Sequence, residues 1–157
     1  MRNLLLLVMA VVLGCGKQAK PPEQVPNTPE ADAAIEAAIK AAVGKSKGKL
    51  TNTDLNKVKQ LLLMKKGIGD LKPLAKVGKL LRLGLSGNEI TDLSPLSHLK
   101  ELEWLDLREN KISDLTTLRE LKSLKELNLM DNPHVTKKEV EKLQEALPGC
   151  KIFHNAS

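Results

Sequence analysis

Aromatic side chains are almost missing: the 157 residues include one tryptophan, one phenylalanine and no tyrosine. Binding folds that rely on aromatic-rich surfaces are therefore a poor match. Cysteine is equally scarce, and Cys15 and Cys150 alone cannot build a disulfide scaffold. No apolar run is long enough to cross a bilayer. The run Leu4 to Leu13 falls well short of the ~20 residues a spanning helix needs. What the chain does have is leucine, 30 residues of it, within an apolar fraction of 41% that is too high for an intrinsically disordered protein. A core built from one aliphatic type is expected where a small unit repeats, because each layer must offer the next the same side-chain volume. Charged residues make up 28% of the chain and leave a formal net charge of +6.

The amino terminus has the composition of an export signal. Met1-Arg2-Asn3 is short and positive, the apolar run follows, and Gly14-Cys15 closes it. Val12-Leu13-Gly14-Cys15 resembles the bacterial lipobox, which implies cleavage before Cys15, lipidation of its thiol and acylation of the new amine. Several acyl chains at ~0.8 kcal/mol per buried methylene would hold the mature protein on a membrane. Gly16 in the next position implies, by the same resemblance, the outer membrane where the cell has one. Residues 1–14 thus read as a lipoprotein signal peptide. Residues 15–28 read as the lipidated cysteine followed by a tether extended by Pro21, Pro22 and Pro26.

The repeat begins after a helical entry over residues 29–57. Thr28-Pro29 starts a helix with an apolar stripe of Ile35, Ala38, Ile39 and Ala42, ending at Gly44. Thr51 and Asp54 fit a capping box, with Leu50 and Leu55 spaced as a hydrophobic staple. At a period of 22, Leu80, Leu83, Leu85, Asn88, Ile90, Leu93, Leu96 and Leu99 align with Leu102, Leu105, Leu107, Asn110, Ile112, Leu115, Leu118 and Leu121. Leu124, Leu127, Leu129 and Asn132 open a further unit, and an earlier one runs from Val58 with Lys66 in place of the asparagine. Leucines two apart mark a short strand facing inward. The asparagine then turns the corner, so that Asn88, Asn110 and Asn132 form a structural ladder. Leucines three apart suit a 3₁₀ return, capped by the column Asp70, Asp92 and Asp114. Residues 58–135 form the repeats, and residues 136–157 close the solenoid. That closing segment has a helix begun by Thr136 and Glu139, with Val140, Leu143 and Leu147 inward. A last strand is expected in which Cys150, Ile152 and Asn155 recur 23 residues after Leu127, Leu129 and Asn132.

Residues 50 to 155 resemble the leucine-rich repeats of bacterial surface proteins, internalins among them, and the helical entry and closing helix resemble those of small bacterial leucine-rich-repeat lipoproteins. The resemblance implies an α/β solenoid with a short parallel sheet on the concave face, a 3₁₀ or irregular convex side and helical caps at both ends. It also implies recognition of another protein through the concave sheet, without catalysis.

The alignment places four columns, each read across five strands, on that face. The first reads Gln60, Arg82, Trp104, Glu126 and Gly149, the second Leu62, Gly84, Asp106, Asn128 and Lys151. The following two read Met64, Ser86, Arg108, Met130 and Phe153, then Lys65, Gly87, Glu109, Asp131 and His154. Both aromatics of the chain fall here, and the small residues Gly84, Ser86 and Gly87 suggest a dip beside Trp104. The candidate protein-binding residues are Leu62, Met64, Arg82, Trp104, Asp106, Arg108, Glu109, Asn128, Met130 and Phe153. Tryptophan, arginine and methionine are enriched at protein interfaces.

No catalytic set, metal site or cofactor motif is legible. His98, His134 and His154 share no obvious site, and no cysteine–histidine spacing suits zinc. Interspersed charge and export argue against nucleic acid. The expected protein is a monomer, lipid-anchored in the cell envelope, that binds an unidentified protein or peptide. The other class open at this point is a binder of envelope polymer, a glycan or an anionic glycolipid, engaged through basic surface such as Lys45, Lys47 and Lys49.

Overall fold

The computed structural model describes residues 23–157. The signal segment and the lipobox, with Cys15, lie outside the described residues. The sheet has five parallel strands in chain order: β1 (Gln60–Leu62), β2 (Arg82–Gly84), β3 (Trp104–Asp106), β4 (Glu126–Asn128) and β5 (Lys151–Phe153). Gln60, Arg82, Trp104 and Glu126 lie opposite one another, as do Leu61, Leu83, Leu105 and Leu127. On the convex side the chain returns through 3₁₀ turns at Lys72–Lys76, Ser94–Leu96 and Thr116–Glu120. Parallel neighbours need a crossover, and here each crossover is one turn of the coil. The architecture is the expected α/β leucine-rich-repeat solenoid.

The core holds no aromatic ring. Leu83, Leu85, Ile90, Leu96, Leu99, Leu102, Leu107, Ile112, Leu115, Leu118 and Leu121 have no exposed surface, and their counterparts in the flanking coils are nearly as deep. Burying each such side chain stabilises the fold by about 1.5–3 kcal/mol before chain entropy is set against it.

Backbone groups stripped from the sheet at the corners are recovered by the asparagines. Asn88 Nδ2 donates to Leu63 O and Leu85 O, while its Oδ1 accepts from the amides of Lys66 and Ile68. Asn110 Nδ2 bonds Leu85 O, Leu107 O and Arg108 O, and Ile90 N donates to its Oδ1. Asn132 does the same for Leu107 O, Leu129 O and Ile112 N. Each amide therefore joins its own coil to the preceding one. The residue before each asparagine turns the corner in the left-handed region: Gly87 at φ 70°, Glu109 at 53° and Asp131 at 58°, with Lys65 at 53° in the first coil. On the convex side, Asp70, Asp92 and Asp114 accept from the amides of Lys72, Ser94 and Thr116 at 2.8–2.9 Å, satisfying the donor at the start of each 3₁₀ turn.

The front cap comprises α1 (Pro29–Ala42) and α2 (Asn52–Lys57). Thr28 Oγ1 accepts from Ala31 N, and Thr51 with Asp54 completes a reciprocal capping box. The buried stripe of α1 is Ala31, Ile35 and Ile39, with Ala38 half-buried. Ala42, expected in that stripe, is exposed, and Val43 just beyond the helix packs against the core instead.

A second difference concerns the tether. The chain between Gln24 and Asn27 lies against the first repeat rather than extending freely. Asn27 Oδ1 accepts from the amides of Gly69 and Asp70, its Nδ2 donates to Asp70 O at 2.8 Å, and Gln24 Nε2 reaches Asp70 Oδ1. A Cβ on Gly69 would fall 2.1 Å from Val25 O, so only glycine admits this approach.

At the rear, α3 (Lys137–Ala146) buries Val140 and Leu143, and Leu147 beyond its end is buried too. Thr136 Oγ1 accepts from Glu139 N, but the Glu139 carboxylate turns to Arg119 at 3.1 Å and Lys142 at 3.2 Å instead of closing a capping box.

Strand β5 departs from its expected register. Ile152, not Cys150, lies opposite Leu127, which puts Lys151 opposite Glu126 and Phe153 opposite Asn128. Helix α3 replaces the 3₁₀ return in this coil, and its exit through Pro148-Gly149 needs more chain than the repeat period supplies. Asn155 therefore misses the ladder column and instead exchanges hydrogen bonds with Asp131. Cys150 is buried in the core, and that burial pushes its thiol pKa up.

Candidate protein-binding face

Each strand points its leucine into the core and offers the flanking residues to the concave face, so the strands fix the order of the candidate side chains. Arg82, Trp104 and Glu126 are adjacent in the first row and form a linked group. The Arg82 guanidinium carbon stands 4.7 Å from the centre of the Trp104 ring, and Trp104 Nε1 donates to Glu126 Oε1 at 3.1 Å. The ring is half-buried between these neighbours. Lys151 continues the row and covers the ring of Phe153 at 4.6 Å.

The second row runs Leu62, Gly84, Asp106, Asn128 and Phe153. Phe153 thus belongs here rather than in the Met130 row, a consequence of the β5 register. Asp106, expected as an exposed polar partner, is 4% exposed. Its carboxylate is covered by Arg108, whose Nε and Nη2 donate to it at 3.0 and 2.8 Å, and it also accepts from Arg108 N. Bidentate pairing of this kind is strong where one partner is desolvated, and it raises the guanidinium pKa of Arg108 above its ordinary value. Asn128 performs the same local task by accepting from Met130 N. Leu62 and Gly84, in the equivalent places of β1 and β2, carry no such acceptor.

The dip beside Trp104 is filled. A Cβ placed on Gly84 would meet Leu62 Cδ2 at 3.0 Å, Met64 Sδ at 3.2 Å and Trp104 Cζ3 at 3.6 Å. The three large side chains lean over the glycine from both sides and form a continuous apolar platform, beneath which Gly84 and Ser86 are buried. Leu62 is 47% exposed and Met64 42%, unusual values for large apolar residues here; Val25 on the docked leader segment is comparable. Glu109 stands at the strand-ending corner, beyond the platform, and Met130 is half-buried.

Other candidate residues do not converge. Lys45 of the basic loop is engaged with Asp54 at 2.8 Å and with Lys49 O at 2.7 Å, so that cluster offers Lys47 and Lys49 only. The Lys45 ammonium and the Thr51 groups hold the Asp54 carboxyl well below the usual carboxylate range. His98 is half-buried on the convex side, whereas His134 and His154 are exposed. Among the described residues, no group of three histidine, cysteine or acidic side chains could hold a metal ion, and no helix is long and apolar enough to cross a membrane. A recess of about 330 Å³ lies away from the sheet, on the front cap, lined by Ile35, Ile39, Leu50, Leu55 and Pro73.

Comparison with known proteins agrees with this architecture. The family model for the leucine-rich repeat matches residues 78–133. An internalin from Listeria monocytogenes is similar in structure, with a TM-score of 0.61 and 24% identity, covering 82% of this chain and 45% of that one. A leucine-rich-repeat protein from Leptospira interrogans gives a TM-score of 0.57 at 30% identity, over 66% of this chain and 28% of that one. The chain therefore spans less than half the length of either. No curated protein matches it. The fold these comparisons define is the leucine-rich-repeat solenoid.

Proposed function

We propose that this chain is a non-catalytic recognition module, held on the cell envelope by a lipid on Cys15, that binds a protein partner through its concave sheet. Leucine-rich-repeat proteins generally mediate protein–protein interaction. The observation that carries the reading is the apolar platform: Leu62 and Met64 remain exposed beside Trp104 on a face whose other side chains are largely polar. Core packing does not require them there, since the inward columns are already filled by leucine. Exposed apolar patches of this kind mark interaction sites. Export and anchoring are supported by the resemblance of Val12-Leu13-Gly14-Cys15 to a lipobox.

The test for recognition is photo-crosslinking in cells from position 104, repeated in the Leu62→Ala variant. The proposal expects a discrete partner band that fades with the substitution. Retention on envelope polymer that is strongly salt-dependent, with no change in Leu62→Ala or Trp104→Ala, would favour the polymer class instead. Anchoring is tested by metabolic labelling with an alkyne fatty acid, which should tag the wild type and not Cys15→Ala.

A further inference from the structure

Two cations flank the apolar platform without counter-ions. The Arg82 guanidinium sits over the Trp104 ring, and Lys65 lays its stem where Gly87 has no side chain, its Cγ 2.7 Å from the place a Cβ would take. Most basic residues elsewhere on the solenoid face a carboxylate: Lys59 and Lys79 share Glu101, Lys100 has Glu120, Lys111 has Glu89, Lys125 has Glu103, and Arg108 has Asp106. Among the described residues, neither Arg82 nor Lys65 is in an ion pair. Residues 1–22 contain no aspartate or glutamate, so that segment has no acidic side chain to offer them. Glu126, the nearest acid in the row, is bonded to the indole of Trp104.

Because Arg82 lies opposite Gln60, the two cations stand at opposite ends of the platform. Roughly five strand residues separate them, or about 16 Å at ~3.3 Å per residue.

We infer that the partner presents an acidic segment, a bulky apolar side chain seated on Leu62, Met64 and Trp104 with carboxylates on both sides of it that meet Arg82 and Lys65. The inference rests on the concave-face reading and supplies the chemistry of what binds there. The net positive charge, still +5 once Arg2 is removed with the signal segment (24 basic against 19 acidic residues), would also steer such a segment toward the face from a distance. The Arg82 side chain donates no hydrogen bond among the described residues, so its N–H groups can hold a carboxylate while the guanidinium still covers Trp104.

The test is selection of a random-peptide display library on the immobilised full chain, with Trp104→Ala and the double variant Arg82→Glu/Lys65→Glu selected in parallel. The two cations make no side-chain hydrogen bonds within the described fold, so the charge-reversed variant should keep its thermal midpoint, and cooperative thermal unfolding will show that Trp104→Ala is folded despite its small loss of stability. The expected result is enrichment of peptides with a large apolar residue between acidic ones. These should bind ~tenfold more weakly to the charge-reversed variant and be lost with Trp104→Ala. Peptides that depend on Trp104 but carry basic or uncharged flanks, and ignore the charge reversal, would overturn the acidic partner while leaving the binding face intact. Selection insensitive to Trp104 would overturn both. A dimer in sedimentation that dissolves with Trp104→Ala would put a second copy on the platform, and capture only by phosphatidylglycerol vesicles would put a lipid surface there; either result excludes the acidic peptide.

Discussion

The two halves of the concave face are built on the same leucine rungs yet use their polar groups differently. Across β3 to β5 most of the groups satisfy one another, Glu109 and Lys151 excepted: Asp106 with Arg108, Glu126 with the Trp104 indole, Asn128 with the Met130 amide, Asp131 with Asn155. Across β1 and β2, Leu62, Met64, Lys65 and Arg82 project without partners of opposite charge or a covering layer. The difference shows that the repeat dictates only the inward columns. The outward columns are free to be spent on rigidity in one half and on recognition in the other, and Trp104 is the boundary between them.

The largest effect should come from the ladder that both halves share. Asn110→Ala orphans Ile90 N inside the fold and removes one of the two asparagine donors to each of Leu85 O and Leu107 O, which Asn88 and Asn132 still reach; it should cost about 3 kcal/mol in denaturant unfolding, since a buried group left unpaired costs ~1–3 kcal/mol and each further hydrogen bond lost about 1 kcal/mol. Next is Trp104→Ala. Partner affinity should fall by about 2 kcal/mol, a factor of ~30, with a smaller loss of stability because the ring is only half-buried. The paired substitutions Asp106→Ala and Leu62→Ala sharpen the contrast. The first uncouples Arg108 and should lower stability by about 1–2 kcal/mol. The second should leave stability within ~0.5 kcal/mol while weakening the partner.

The smallest effect is on pH dependence. The carboxyls of Asp54 and Asp114 are both held below their ordinary pKa, Asp54 chiefly by Lys45 and the Thr51 amide, Asp114 by the hydroxyl and amide of Thr116. The folded state therefore binds fewer protons than the unfolded chain. Their contribution is complete above the unfolded pKa near ~4 and drains away as pH falls through the depressed folded values. Acid titration of the thermal midpoint should be shallower in Asp114→Asn than in the wild type.

Strand positions, the asparagine column and the aspartate column were legible because each repeats at a fixed interval and each has a local backbone group to serve. Strand β5 was misplaced because α3 breaks the interval, and periodicity says nothing about how many residues a helical exit consumes. The dip was misread because a glycine column reports a missing side chain, not what its neighbours do with the room; Leu62 and Met64 on one strand and Trp104 on another close over Gly84. Asp106 looked like surface because strand alternation places it outward, while its burial comes from Arg108 two residues later. The docked leader was hidden by composition: proline beside glutamine and glutamate suggests a tether, and only the Asn27–Gly69 contact, distant in sequence, ties it down.

The central claim is that recognition belongs to the β1–β2 half of the face. Photo-crosslinkers placed separately at position 62 and at position 151 in the living cell test it most directly. Capture of one partner from position 62, abolished by Trp104→Ala, with little or none from position 151, is the predicted result. Equal capture from both positions, or capture from 151 alone, would contradict it.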